Sequence, residues 1–75
     1  MADFKYEIKE QFGTLSEKNG YTKEFNFISY GDRDPVYDIR TWHEDEDGKK
    51  MAKGVTLNKD ELIKLREILD EMDLD

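Results

Sequence analysis

The chain has 75 residues, with 12 Lys plus Arg against 19 Asp plus Glu, a formal charge of −7 and 36% hydrophobic residues, enough for one core and one domain over residues 1–75. Without cysteine, neither a disulfide nor a thiolate zinc site can supplement that core, which leaves a core shared with a second copy as the simplest aid to stability. A large enclosed catalytic pocket would consume most of the interior, and the acidic balance counts against indiscriminate attraction to phosphate.

The opening Met1-Ala2-Asp3-Phe4-Lys5 has no cationic stretch ahead of an apolar run, and nowhere do 18 apolar residues run together. Neither a signal peptide nor a membrane span is therefore expected, and the expected location is cytoplasmic, nucleoid association included. Phe4, Tyr6, Ile8 and Phe12 share one parity while Lys5, Glu7, Lys9 and Gln11 share the other, the pattern of a half-buried strand. Gly13 invites a bulge, and Asn19-Gly20 is a hairpin signal because both residues tolerate positive φ. A second strand follows, with Tyr21, Lys23, Phe25 and Phe27 on one parity and Ile28 and Tyr30 on the other, a switch that suggests a bulge or strong twist.

Gly31 to Pro35 forms the next turn, and because Pro35 cannot donate to a central ladder the third strand starts at about Val36. In it Tyr37, Ile39 and Thr41 face one way and Val36, Asp38, Arg40 and Trp42 the other. His43 to Lys50 reads as a polar loop, and Met51 to Leu57 as a fourth strand. Asn58 caps a helix, with Glu61 as its capping-box partner, and Leu62, Leu65, Ile68, Leu69 and Met72 recur at helical spacing as an apolar stripe. The order is β-β-β-β-α, an α+β fold: an antiparallel sheet covered on one face by a helix, with function sought on the open face.

Acid is unevenly spread. Residues 1–43 carry 6 basic and 8 acidic side chains, Glu44 to Asp47 carry 4 acids, residues 48–57 carry 3 basic side chains, and residues 58–75 carry 3 basic and 7 acidic ones. The net charge thus describes one short run and the helix more than it describes the strands. On those strands Tyr21, Lys23, Tyr30, Arg40 and Trp42, with Lys5, Lys9 and Lys53, make the mixture of rings and cations that grips single-stranded nucleic acid by stacking and phosphate pairing. Against this, a small sheet needs large side chains as filling, and an aromatic residue is more often core than platform.

Other chemistries find less support. His43-Glu44-Asp45-Glu46-Asp47-Gly48 lacks the first and last ligands of a calcium loop, and one His without Cys offers no zinc set. A single His, with Ser16 and Ser29 as the only serines, builds no catalytic triad, and no Gly-rich phosphate loop occurs, so no enzyme activity, metal or cofactor is expected. The helix carries more apolar surface than one sheet requires, Ile63 and Leu74 lying off or beyond its stripe, which points to a second copy. A competing reading is an acidic protein-interaction module, because Asp70, Glu71, Asp73 and Asp75 oppose the helix macrodipole and so serve something other than helix stability.

The D-I-R strand Asp38-Ile39-Arg40, the aromatic Trp42 after it, the junction Lys53-Gly54-Val55-Thr56-Leu57-Asn58 and a helix with an acidic end occur in this order. Together they resemble the C-terminal domain of the transcriptional positive cofactor four family, most closely its small bacterial members. The resemblance covers essentially the whole chain, with its specific motifs between residues 37 and 65. It implies a curved four-stranded antiparallel sheet followed by one helix, a homodimer through helix residues Leu62, Leu65, Ile68, Leu69 and Met72, and binding of single-stranded DNA on the open sheet faces without strong sequence preference. RNA is the other candidate ligand, and proteins of transcription or replication are candidate partners, with a role in transcription, replication or repair.

Carried over residue by residue, Arg40 would contact the nucleic-acid backbone, Trp42 and Tyr30 would stack on bases and Lys53 would hold phosphate. Lys23 and Tyr21 are weaker transfers. Two features depart from the family pattern: Ala52 replaces a basic residue common before the Lys-Gly pair, and the run after Trp42 is unusually acidic. Lys53 shares the parity of Val55, so reaching the face of Arg40 requires a bulge near Gly54.

Overall fold

The computed structural model describes residues 5–74. Phe4, assigned above to the first strand, and Asp75, in the acidic helix end, lie outside the described residues. Four strands, β1 (Tyr6–Lys18), β2 (Tyr21–Tyr30), β3 (Val36–Asp45) and β4 (Gly48–Leu57), precede one helix, α1 (Lys59–Glu71). The strands form one antiparallel sheet in the order β1-β2-β3-β4. This is the expected α+β arrangement. No helix among the described residues is long and apolar enough to cross a membrane.

Local chemistry fixes the connections. Asn19 (φ 53°) and Gly20 (φ 82°) supply the two consecutive positive φ values of a two-residue hairpin whose twist matches its flanking strands. The β3–β4 connection is tighter than the polar run from His43 to Lys50 suggests, since both strands continue into it and Asp45 pairs with Gly48. The Asp45 carboxylate accepts from the Asp47 amide at 2.9 Å, Gly48 takes φ 114°, and Glu44 and His43 lie opposite Lys49 and Lys50. Lys50 meets Asp45 at 3.3 Å and Asp47 at 3.8 Å, so part of the acid of this run is neutralised within the hairpin. At the helix start, Asn58 Oδ1 accepts from the Glu61 amide and Glu61 Oε1 from the Asn58 amide, both at 2.8 Å, a reciprocal cap worth about 1 kcal/mol.

The expected irregularity in β2 lies in β1 instead. β2 pairs with β3 without interruption from Tyr21 opposite His43 to Ile28 opposite Val36. β1, by contrast, shifts register against β2 three times, between Ile8 and Glu10, Gln11 and Gly13, and Thr14 and Ser16. Each shift inserts one residue and reverses the parity that follows. Tyr6 and Ile8 consequently share a face with Tyr30 and Ile28, their pairing partners, while Phe12 turns to the other face against Phe25, Phe27 and Tyr37 at ring separations of 4.8, 6.3 and 6.0 Å.

The bulges let the sheet curl steeply. Tyr6 is in register with Tyr30, and Trp42 with Thr22; these positions are eight residues apart on β2, roughly 26 Å of extended strand. Yet the Tyr6 and Trp42 rings are 5.6 Å apart. The concave face therefore closes on itself and holds the most buried side chains: Ile28 and Asp38 at 0% exposure, Asn26 and Trp42 at 1%. On the convex face α1 packs against β3 and β4 with no residue buried. Between helix and sheet runs an apolar groove of about 550 Å³ lined by Leu15, Phe25, Tyr37, Ile39, Leu62 and Leu69 among others.

Candidate nucleic-acid interface

Strand alternation assigns the candidate residues to two faces. The concave face receives Thr22, Glu24, Asn26 and Ile28 of β2 opposite Trp42, Arg40, Asp38 and Val36 of β3. Asp38 and Arg40 are closely paired on it, whereas among the described residues the Asn26 side-chain amide, Glu24 Oε1 and Trp42 Nε1 have no hydrogen-bond partner. Asp38 accepts from the Tyr30 hydroxyl at 2.8 Å, from Arg40 Nε at 3.2 Å and from Arg40 Nη2 at 3.0 Å. Arg40 Nη1 donates to the carbonyl of Ala52 at 2.9 Å, and its guanidinium lies 5.9 Å from the centre of the Tyr30 ring. Burial, then the hydrogen bond and charge of Asp38, push the Tyr30 hydroxyl up to about 12. The hydrogen bond to Asp38 raises the Arg40 pKa against the effect of burial.

Trp42 lies on this face, beside Arg40 in parity, but it is not an open platform. Tyr6 packs against it, and the Lys49 ammonium lies over its ring at 5.1 Å while meeting Glu24 at 2.7 Å. Stacking on a base would require Tyr6 and Lys49 to move aside. Burial works against the Glu24 charge, but the hydrogen bonds from Lys49 and Thr22, the Lys49 charge and the neighbouring Asn26 amide outweigh it and hold the carboxyl below its ordinary value. Glu17, Glu24 and Glu44 line a small cleft with Lys49, so acid collects on the concave side of this end of the sheet.

The convex face at the same end is its opposite in charge. Tyr21 stacks on His43 with ring centres 4.3 Å apart at 25°, and Tyr21 is 48% exposed. Register places Lys18 opposite Tyr21, Lys50 opposite His43 and Lys23 opposite Thr41. Lys23, Thr41 and Lys53, with Ile39, Arg40, Gly54 and Val55, line a cleft of about 310 Å³, which Arg40 joins although its side chain has concave parity. The ladder irregularity near Gly54 does occur, between Arg40 and Trp42 of β3 and their partners Gly54 and Met51. Lys53 nevertheless stays with Val55 in the convex cleft rather than joining Trp42.

The structure thus divides the eight candidates rather than gathering them. Arg40, Trp42 and Tyr30 belong to the concave face; Tyr21, Lys23 and Lys53 belong to the convex strip. Lys5 lines a third cleft, of about 640 Å³, with Tyr30, Arg33 and Asp34 at the β2–β3 turn. Lys9 pairs with Glu7 at 3.1 Å in the open. Of the helix residues, Leu62, Leu65 and Leu69 line the apolar groove, while Ile68, Leu69 and Met72 are 48%, 44% and 49% exposed. His43 escaped the sequence reading because it was placed in a loop; continuing β3 by one residue would have set it across from Tyr21. Among the described residues no three His, Cys, Asp or Glu side chains could hold a metal ion.

Comparison with known proteins adds two findings. The family model of Transcriptional Coactivator p15 (PC4) matches residues 17–68. An uncharacterized protein of Treponema pallidum (strain Nichols) is 46% identical over 74 residues, covering 97% of this chain and 85% of its own length.

Proposed function

The chain belongs to the transcriptional coactivator p15 (PC4) family, and from that premise we propose that it binds single-stranded DNA as a homodimer, without strong sequence preference, in a transcription-related role. The observation that carries this reading is the convex strip, where the exposed Tyr21–His43 stack adjoins the cleft of Lys23 and Lys53. Rings accept unpaired bases face to face, at about 1 to 3 kcal/mol per base, and are indifferent to base identity because every base has a π face. Lysines on the same strip take the phosphates, and Lys18 adds to them by register, whereas Lys50 is already paired with Asp45 at 3.3 Å and Asp47 at 3.8 Å. Lys5 and Arg33, beside Tyr30 in the cleft at the β2–β3 turn, extend the phosphate contacts. Eleven of the 19 acids lie in the Glu44 to Asp47 run and in residues 58–75, which is how a chain of charge −7 leaves a basic strip on its strands.

The test is a titration of labelled oligo-dT and of a duplex of equal length at low and moderate salt. Oligo-dT should bind well ahead of duplex, and the Tyr21→Ala/His43→Ala variant should lose about tenfold or more in affinity. Equal affinity for both ligands, or none for either, overturns the reading. One observation favours a second function: the last helical turn has no basic residue although Asp70, Glu71 and Asp73 crowd it, a surface suited to a basic protein partner. Recovery of one specific protein after nuclease treatment, with oligo-dT unbound, would select that alternative.

A further inference from the structure

β3 and β4 approach unusually closely where the ladder shifts. A Cβ added to Gly54 would lie 2.6 Å from Arg40 Cβ and 2.8 Å from Arg40 Cα, so only glycine fits there without backbone movement. This close approach lets the Arg40 side chain fold over β4 and bond the carbonyl of Ala52, the residue before Lys53. Asp38, fully buried, holds the other edge of the same guanidinium through Nε and Nη2, and its remaining partner is the Tyr30 hydroxyl. A chain of hydrogen bonds therefore runs from Tyr30 through Asp38 and Arg40 to the β4 backbone at the irregularity. Lys53 emerges from that backbone on the opposite face, into the cleft it shares with Lys23.

We propose that Asp38 and Arg40 are positioning residues that act through the Ala52 carbonyl to aim Lys53 into the convex cleft for phosphate. The guanidinium suits this role because a planar fork can grip a carboxylate and a carbonyl at once, which a lysine ammonium does with less geometric definition. The inference rests on the reading of the convex strip as the nucleic-acid site, and it gives Arg40 a role different from a direct phosphate contact.

The test is a double-mutant cycle on oligo-dT affinity and on its salt dependence, with Asp38→Asn, Lys53→Gln and the pair combined. Lys53→Gln should flatten the slope of log affinity against log salt by about 0.7, one phosphate contact on a single strand. Asp38→Asn removes a negative charge, so a role in general electrostatics alone would leave binding unchanged or tighter. The positioning role requires the reverse: about fivefold weaker binding, on the scale of coupling within one hydrogen-bond network, with the same loss of slope. In the Lys53→Gln background, Asp38→Asn should then have no further effect. Tyr30→Phe, which keeps the ring and removes the hydroxyl that donates to Asp38, should give a smaller change of the same sign, and it serves as the readout if Asp38→Asn fails to fold.

Tighter or unchanged binding by Asp38→Asn, or by Tyr30→Phe where that variant is the readout, overturns the inference while leaving the convex-strip reading intact. An effect that persists undiminished without Lys53 does the same, and would mean that Arg40 meets the nucleic acid itself. Failure of the parent chain to bind oligo-dT overturns both.

Discussion

Trp42 illustrates how one side chain is claimed by two demands. Its indole is 1% exposed, with Tyr6 against one part of it and the Lys49 ammonium over the ring, so its large apolar surface is spent on the interior. Its Nε1 has no hydrogen-bond partner among the described residues, which means that the ring is held by packing rather than by a polar anchor. Truncating a buried aromatic of this size costs about 3 to 5 kcal/mol, a large share of the stability of a small domain. Trp42→Ala should therefore shift urea unfolding, followed by circular dichroism, to much lower denaturant, whereas Trp42→Phe, which fills most of the volume and leaves no new polar orphan, should retain cooperative unfolding. A Trp42→Ala protein that unfolds like the parent but no longer binds oligo-dT would reverse the assignment and return the ring to the binding site. The face of Trp42 was legible from its parity with Asp38 and Arg40. Its burial was not, because that depends on how far the sheet curls.

At the scale of elements, the concave face is fastened by an ion pair that spans a strand. Glu24 of β2 reaches over Trp42 of β3 to Lys49 of β4 at 2.7 Å, with the Thr22 hydroxyl donating to the same carboxylate oxygen at 2.6 Å. Glu24 is 6% exposed, and breaking such a pair leaves a buried charge without a partner. Because its folded pKa lies below the ordinary value, the folded state binds that proton less readily than the unfolded chain. Its contribution to stability is thus complete above the unfolded pKa and is lost as pH falls through the folded one. The melting temperature should fall as pH drops below about 5, and Glu24→Gln should lower the melting temperature at neutral pH while flattening that acid limb. An acid limb identical in parent and variant would show that other carboxylates govern it. The strand sequence anticipated none of this, since Glu24 alternates with Phe25 and reads as solvent-facing; it is buried because three inserted residues in β1 bend the sheet around it. The hairpin at Asn19-Gly20 and the Asn58 cap, by contrast, were legible because each depends on chemistry within four consecutive residues.

Across the whole molecule the sheet has two buried claims and one helix to satisfy them. The alternation of β2 and β3 was readable, but with apolar residues at both parities it could not say which face would close on itself and which would take the helix. Curvature decides: the concave face fills with its own side chains, and the convex face is left with a helix that buries none of its residues and an open apolar groove. Ile68, Leu69, Met72 and Leu74 remain 44 to 68% exposed, more contiguous apolar surface than a monomer of 8.9 kDa keeps in water without a use for it. A second copy docked helix to helix would cover that surface and leave the Tyr21–His43 stack, at the far end of the β1–β2 hairpin, free to bind. The Ile68→Glu variant tests this, because Ile68 is 48% exposed in the single chain, stands outside the groove between helix and sheet, and glutamate is a good helix former. The parent should sediment at twice 8.9 kDa at micromolar concentration, and the variant at the mass of one chain with unchanged helix content by circular dichroism. Long oligo-dT should then lose more affinity than short oligo-dT, because only a dimer can hold one strand at two sites and gain from their effective concentration. A parent that sediments as one chain, or a variant that remains a dimer, would place the self-association surface elsewhere or remove it.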